Sequence, residues 1–152
     1  MRILIVTQYF WPENFRINEL ASSLKGEGNE VKILTGYPNY PEGLIYKDFL
    51  KNQSKYSTYD GIEIIRVPIV QRGKNNIQLI FNYISFVLSA CSVGIFKLRK
   101  HKFDVVFVFQ LSPVFVGIPS SIIAFLKKCP QIFWVLDLWP EMLTLSSIEI
   151  FK

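Results

Sequence analysis

Three stretches of the chain bring chemically useful side chains together. In Asp137-Leu138-Trp139-Pro140-Glu141 two carboxylates stand four residues apart beside an indole. Asp137 has a structural reading, as the N-cap of a following helix with Pro140 and Glu141 in its first turn. It also has a chemical one, as a general base or as the group that orients an acceptor hydroxyl. The spacing is not that of a DxD metal motif. In Thr35-Gly36-Tyr37-Pro38-Asn39-Tyr40-Pro41-Glu42-Gly43, prolines and glycines stiffen and turn the backbone. Tyr37, Asn39 and Tyr40 then offer flat apolar faces and hydrogen-bonding groups of the kind that grip sugars or isoprenoid phosphates. A structural turn carrying exposed tyrosines fits equally well. In the third stretch, Gln8 to Arg16, Arg16 falls in the first turn of an expected helix, where the helix dipole disfavours a cation by roughly 0.3–1 kcal/mol. An anion such as a pyrophosphate, held by free N–H groups and the guanidinium, would account for that placement. So would a solvated pair with Glu13 or Glu19.

Other chemistries are excluded by what is missing. No glycine lies between Gln8 and Arg16, so the GxGxxG turn of a dinucleotide site is absent, and no GxxxxGK[ST] phosphate loop occurs anywhere. Cys91 and Cys129 are isolated and His101 is the single histidine, so these residue types assemble no metal cluster. The net charge of +5 suits phosphates, nucleic acid or an anionic membrane, and its sign does not choose among them. The first apolar run, Arg2 to Thr7, is too short for a signal peptide and lacks a small-residue cleavage site, which leads to the expectation of a reducing cytoplasm.

These groups need a frame. Half the residues are hydrophobic and 15% are aromatic, which makes 152 residues enough for one folded domain. Arg2 to Thr7 is a continuous apolar, β-branched run, as expected of a strand covered on both faces. Ile17, Leu20, Ala21 and Leu24 then follow helical spacing, with Asn14 as the expected cap and Gly26 or Gly28 as the stop. Further strands are expected over Val31 to Thr35, Ile62 to Val70, Asp104 to Gln110 and Gln131 to Asp137. Helices are expected over about Ile77 to Arg99 and Val114 to Lys128. The stretch from Gly36 to Gly61 carries no sustained period. Strands alternating with helices predict an α/β domain with a doubly wound parallel sheet, and place ligands beyond the carboxyl ends of its strands.

The stretch Ile77 to Leu98 is long enough to cross a bilayer, although Gln78, Asn82, Tyr83 and several serines dilute it. It also fills the crossover that the sheet requires. The following Lys97 to Lys102 cluster could meet anionic headgroups, or could be a solvated helix end favoured by the dipole.

Several blocks taken in order resemble the N-terminal domain of retaining GT-B glycosyltransferases of family 4. They are Ile3 to Val6 with Tyr9-Phe10-Trp11-Pro12-Glu13, Glu19-Leu20-Ala21 through Gly28 to Val31, Tyr37 to Gly43, Asp60 to Pro68, Ser112-Pro113 and Asp137 to Glu141. The bacterial surface-polysaccharide branch, including fucosamine-type aminosugar transferases, is the most similar. The resemblance implies a Rossmann-like acceptor-side domain over 1–152, itself incomplete, with the donor-binding C-terminal domain absent. It implies a nucleotide-diphosphate sugar as donor, no cofactor bound by this segment, and a lipid-linked saccharide acceptor in O-antigen, capsule or exopolysaccharide assembly. An anionic membrane surface met by Ile77 to Lys102 is an expected partner, and nucleic acid is not. Asn14 and Arg16 would face donor phosphates or acceptor, Tyr37 to Gly43 would line the acceptor side with Trp139, and Asp137 with Glu141 would sit near the transferred sugar. Relatives often carry a histidine where this chain has Leu136, so no role is assigned to that position. The alternative expectation is an inactive remnant, or a module that docks on a membrane or partner without catalysis.

In the full-length context, Arg16→Ala and Asp137→Ala are each expected to abolish sugar transfer while leaving the circular dichroism spectrum unchanged. Near-normal turnover in both would remove these residues from the site.

Overall fold

The first apolar run forms β1 (Arg2–Val6), whose side chains alternate between two separate cores. Leu4 and Val6 join Leu34, Val67, Phe86 and Val106 on one side of the sheet, while Ile3 and Ile5 join Phe10, Ile17, Ala21 and Ile33 on the other. A strand buried on both faces has no place for polar positions, hence its unbroken hydrophobicity. The computed structural model describes residues 1–73, 75–111 and 114–136. Asp137, Trp139 and Glu141, together with Ser112 and Pro113, lie outside the described residues.

After β1 come α1 (Arg16–Gly26), β2 (Glu30–Gly36), α2 (Lys47–Lys51), β3 (Thr58–Tyr59), β4 (Ile62–Val67) and α3 (Asn76–Ser89). A π-helical turn over Ala90–Gly94 joins α3 to α4 (Ile95–Leu98), and β5 (Val105–Gln110), α5 (Gly117–Lys127) and β6 (Gln131–Val135) complete the described fold. The sheet order is β3-β4-β2-β1-β5-β6, parallel except for β3. The chain leaves β1 through α1 over one face. It returns through α3 and α5 over the other, so the winding reverses between β1 and β5. The protein is a doubly wound α/β domain of Rossmann type, whose ligand crevice belongs at the carboxyl ends of those two strands.

Four sequence expectations change. Asn14 does not cap α1: the N-cap is Phe15, extended at φ −127°, and makes no side-chain capping bond among the described residues. The third expected strand stops at Val67 instead of Val70. The aperiodic stretch after β2 contains α2, a 3-10 turn (Gln53–Tyr56) and the antiparallel β3, elements of two to five residues that are too short to show a period. Here Asp60 and Gly61 both adopt positive φ, 49° and 69°, and form the two-residue hairpin that folds β3 onto β4. The helix expected over 77–99 is interrupted by its π-turn. Its buried stripe is Asn82, Phe86, Ala90, Gly94 and Leu98, one residue in four. At 3.6 residues per turn such a stripe rotates by about 40° at each step, and the wider π-turn slows that drift and keeps it on the sheet.

Asn82 does not dilute an apolar helix; it pins α3 to the sheet. Wholly buried, it donates from Nδ2 to the Val70 carbonyl (2.6 Å), and its Oδ1 accepts from Gln8 Nε2 (2.6 Å) and the Tyr9 hydroxyl (3.3 Å). Asn82→Leu would leave the buried Gln8 amide and Tyr9 hydroxyl, and the partly exposed Val70 carbonyl, without this partner, a loss of about 2–4 kcal/mol. Urea denaturation should show it as a lower midpoint with unchanged slope, and an unchanged midpoint would mean that α3 is held by apolar packing alone.

Candidate functional site

The loops that leave β1 and β2 are fastened to each other by one carboxylate. Glu13 is 3% exposed; its Oε1 accepts from the backbone N–H groups of Asn39 and Tyr40, both at 2.8 Å, and its Oε2 accepts from that of Phe10 at 3.1 Å. Below it, the guanidinium of Arg66 on β4 is 7% exposed and donates to three carbonyls. These belong to Tyr56 (3.2 Å), Gly36 (3.0 Å) and Trp11. A side chain with five fixed donors suits three convergent carbonyls as lysine would not. Burial dominates the titration of both. It lifts the Glu13 carboxyl to about 7, against the opposing pull of the amides and of Arg66, and it lowers Arg66 to about 10.

This fastening sets the edges of a cleft of about 310 Å³ lined by Tyr9, Phe15, Tyr40, Arg72, Tyr83 and Leu111, with Leu136 at its rim. Tyr9 follows β1, Leu111 follows β5, Tyr40 lies on the loop after β2, and Arg72 on the segment after β4. The cleft thus occupies the switch-point position. Its volume is at the low end for ligand pockets, enough for a sugar ring or a phosphate group. Tyr9 stacks on Phe15 (centroids 5.7 Å apart, planes 17°), and Tyr40 packs at 5.6 Å from Tyr9 and 5.2 Å from Phe15. The Arg72 guanidinium lies over the Tyr40 ring at 5.1 Å. Burial pushes the Tyr9 hydroxyl well above the usual tyrosine range, so it stays protonated as the donor to Asn82. Aromatic faces combined with a fixed cation can stack on a sugar or other ring while neutralising an attached phosphate or carboxylate.

Among the described residues the expected site residues divide between several places, and Tyr40 is the one that lines this cleft. Tyr37 turns away, packs on Phe49 at 4.8 Å, and lines a separate pocket with Tyr56, Arg66 and Lys97. Asn39 is wholly buried, holds the Tyr37 carbonyl through Nδ2 (2.9 Å) and gives its N–H to Glu13. Gly43 sits at φ +78°, where a Cβ would stand 2.8 Å from the Gly73 carbonyl oxygen, so a side chain has neither the conformation nor the room. Glu42 is exposed. Asn14 and Arg16 line a different, open groove of about 660 Å³ with Glu19, Leu20, Ser23 and Trp134. Arg16 makes no ion pair among the described residues, and Glu13 is committed to its three amides. Asp137, Glu141 and Trp139 are outside the described residues.

Sequence reasoning overlooked Arg72, Tyr83 and Phe15 as lining groups, and Glu13 and Arg66 as the frame. Arg72 carried a usable signal, because applying the carboxyl-end rule to the strand at Ile62 to Val70 leads straight to Gln71 and Arg72.

No protein-family model matches the chain, and no curated protein does. Several solved structures share its fold. The C-terminal domain of a hydrogenase from Pyrococcus furiosus superposes with a TM-score of 0.57 at 18% identity, covering 88% of this chain and 90% of that domain. The glycotransferase of kitacinnamycin gives 0.59 at 14% identity over 98% of this chain and 34% of its own length. The Streptomyces sp. SF2575 glycosyltransferase SsfS6 gives 0.55 at 15% identity over 88% of this chain and 38% of its own, and it has also been solved complexed with thymidine diphosphate. The chain therefore spans little more than a third of the length of either glycosyltransferase. The domain has the Rossmann-like fold found in GT-B glycosyltransferases, a fold it also shares with the hydrogenase domain, so the reaction has to be argued from the cleft.

Glu13 gives a pH signature. The folded protein holds this carboxyl at about 7 and the unfolded chain near 4.5, so between these values the folded state binds the extra proton. Its contribution to stability therefore falls as pH rises from about 4.5 to about 7 and is level above. Glu13→Gln should remove that decline and cost about 1–2 kcal/mol, because its amide NH₂ meets one of the three N–H donors. Urea midpoints taken across this range for both proteins test it, and a decline that survives the substitution belongs to another group.

Proposed function

We propose that the protein is the acceptor-side part of a glycosyltransferase that moves a sugar from a nucleoside-diphosphate donor to a lipid-linked saccharide. The observation that carries this reading is the cleft at the β1/β5 switch point, lined by the packed rings of Tyr9, Phe15 and Tyr40 together with Arg72, whose guanidinium lies over the Tyr40 ring. A saccharide joined to a lipid through phosphate offers matching chemistry: C–H faces that stack on aromatic rings, and an anion for the guanidinium. The absence of a glycine-rich phosphate loop after β1 speaks against a dinucleotide at the same place. The fold shared with two glycosyltransferases, one of them solved with thymidine diphosphate, supports the reading without fixing the reaction.

In this proposal the chain positions the acceptor. Arg72 neutralises its phosphate, the rings orient its sugar, and Asp137, by resemblance to family 4, lies near the transferred group with Glu141. The nucleotide sugar is bound mainly by a second domain across the cleft, and a retaining outcome and a cytoplasmic location belong to the same proposal.

The full-length protein, assayed with a nucleoside-diphosphate sugar and a lipid-linked acceptor, should lose roughly tenfold to a hundredfold in kcat/KM on Arg72→Ala or Tyr40→Ala, equivalent to about 1.4–2.8 kcal/mol. Tyr40→Phe should keep most of the activity, and thermal midpoints should move little because both side chains are only partly buried. Unchanged kcat/KM in the two alanine variants would exclude this cleft as the acceptor site.

A further inference from the structure

The outward side of the α3/α5 layer is apolar where a water-facing layer would be charged. Ile80, Ile84 and Leu88 on α3 and Ile122, Phe125 and Leu126 on α5 are all exposed, Leu88 to 64% and Phe125 to 82%. The two helices pack side by side on one face of the sheet, so these side chains form a single surface and are not scattered. Charge is distributed just as unevenly. From Ile64 to Leu136 the only acidic residue is Asp104, and it is paired with Arg2. Arg99, Lys100, Lys102 and Lys128 are exposed at the C-terminal ends of α4 and α5. Lys127 gathers those ends by donating to the carbonyls of Leu98 (2.7 Å), Arg99 (3.2 Å) and His101 (2.7 Å), which puts the cations along one margin of the apolar face. Arg99 lies 3.8 Å over the exposed ring of Phe96, pairing an apolar body with a charge at that margin.

We propose that this two-helix face docks on an anionic lipid bilayer, its apolar side chains entering the headgroup boundary and its cations meeting lipid phosphates. The stretch Asn76–Leu98 has the length and hydropathy to cross a membrane, yet its inward stripe is committed to the sheet and Asn82 makes three hydrogen bonds to Gln8, Tyr9 and Val70. Crossing would tear out the β4-to-β5 connection, so the helix lies in the interface plane. A second copy is disfavoured as the occupant, because two such surfaces would bring like charges together. The same helix carries Tyr83 into the cleft, so a lipid-borne molecule could reach the cleft along the bilayer surface. The docking surface stands apart from the proposed sugar transfer, and its test involves no turnover.

Co-flotation with vesicles of phosphatidylcholine and phosphatidylglycerol, compared with phosphatidylcholine alone, tests the surface. The protein should float with the anionic vesicles and be released by high salt or alkaline carbonate. The double variant K100A/K102A should lower the partition coefficient about twentyfold or more, taking about fivefold per charge. Ile84→Asn with Leu88→Asn should abolish flotation while circular dichroism stays that of the folded protein, since both side chains face outward. Flotation equal on neutral and anionic vesicles, or unaffected by K100A/K102A, would overturn the anionic-lipid assignment. Retention after alkaline carbonate would overturn the in-plane geometry. A failure to float, combined with concentration-dependent self-association that Leu88→Asn abolishes, would give the face to a second copy.

Discussion

The buried carboxylate of Glu13 organises the carboxyl edge of this sheet. It draws together backbone amides from the loop after β1 and the loop after β2, and so decides where Tyr9, Phe15 and Tyr40 stand relative to one another. Arg66 performs the complementary task with carbonyls, tying the end of β2, the β1 loop and the 3-10 turn at Tyr56 to β4. A carboxylate that collects N–H groups and a guanidinium that collects C=O groups satisfy backbone polarity in loops too irregular to satisfy it alone. Remove either, and buried amides or carbonyls lose their partners while the aromatic cluster loses its support.

The frame was legible in the sequence wherever a physical pattern ran long enough. β1, β2 and β5 announce themselves as apolar runs because they are central strands with both faces covered, and α1 by the spacing of Ile17 and Ala21. The doubly wound order followed from the alternation of elements. Illegible were features that depend on contacts distant in sequence. Little in the local sequence distinguishes Glu13 from a solvated acid, since two of its three N–H partners lie twenty-six and twenty-seven residues away. Asn82 looked like a break in an apolar helix because its partners lie on β1's loop and beyond β4.

Within the candidate site, local reading grouped residues by adjacency, whereas a turn sends neighbours in opposite directions. Tyr37 and Tyr40 are three residues apart and line different pockets, with Asn39 between them serving the backbone. Arg16 stands at the first position of α1 and makes no ion pair among the described residues, but it opens onto the groove beside Trp134 and not onto the aromatic cleft. The two openings flank the N-terminus of α1, so the loop from Gln8 to Phe15 separates them.

Gly43 has an effect that reaches Arg72. Its carbonyl accepts from the Gly73 N–H at 3.2 Å, and the two backbones approach so closely that no side chain fits between them. The segment bearing Arg72 is thereby coupled to the loop bearing Tyr40, and the cation and the ring beneath it belong to one preorganised wall. A ligand entering the cleft would find these groups already ordered, and less conformational entropy would be lost on binding than if each loop had to settle separately.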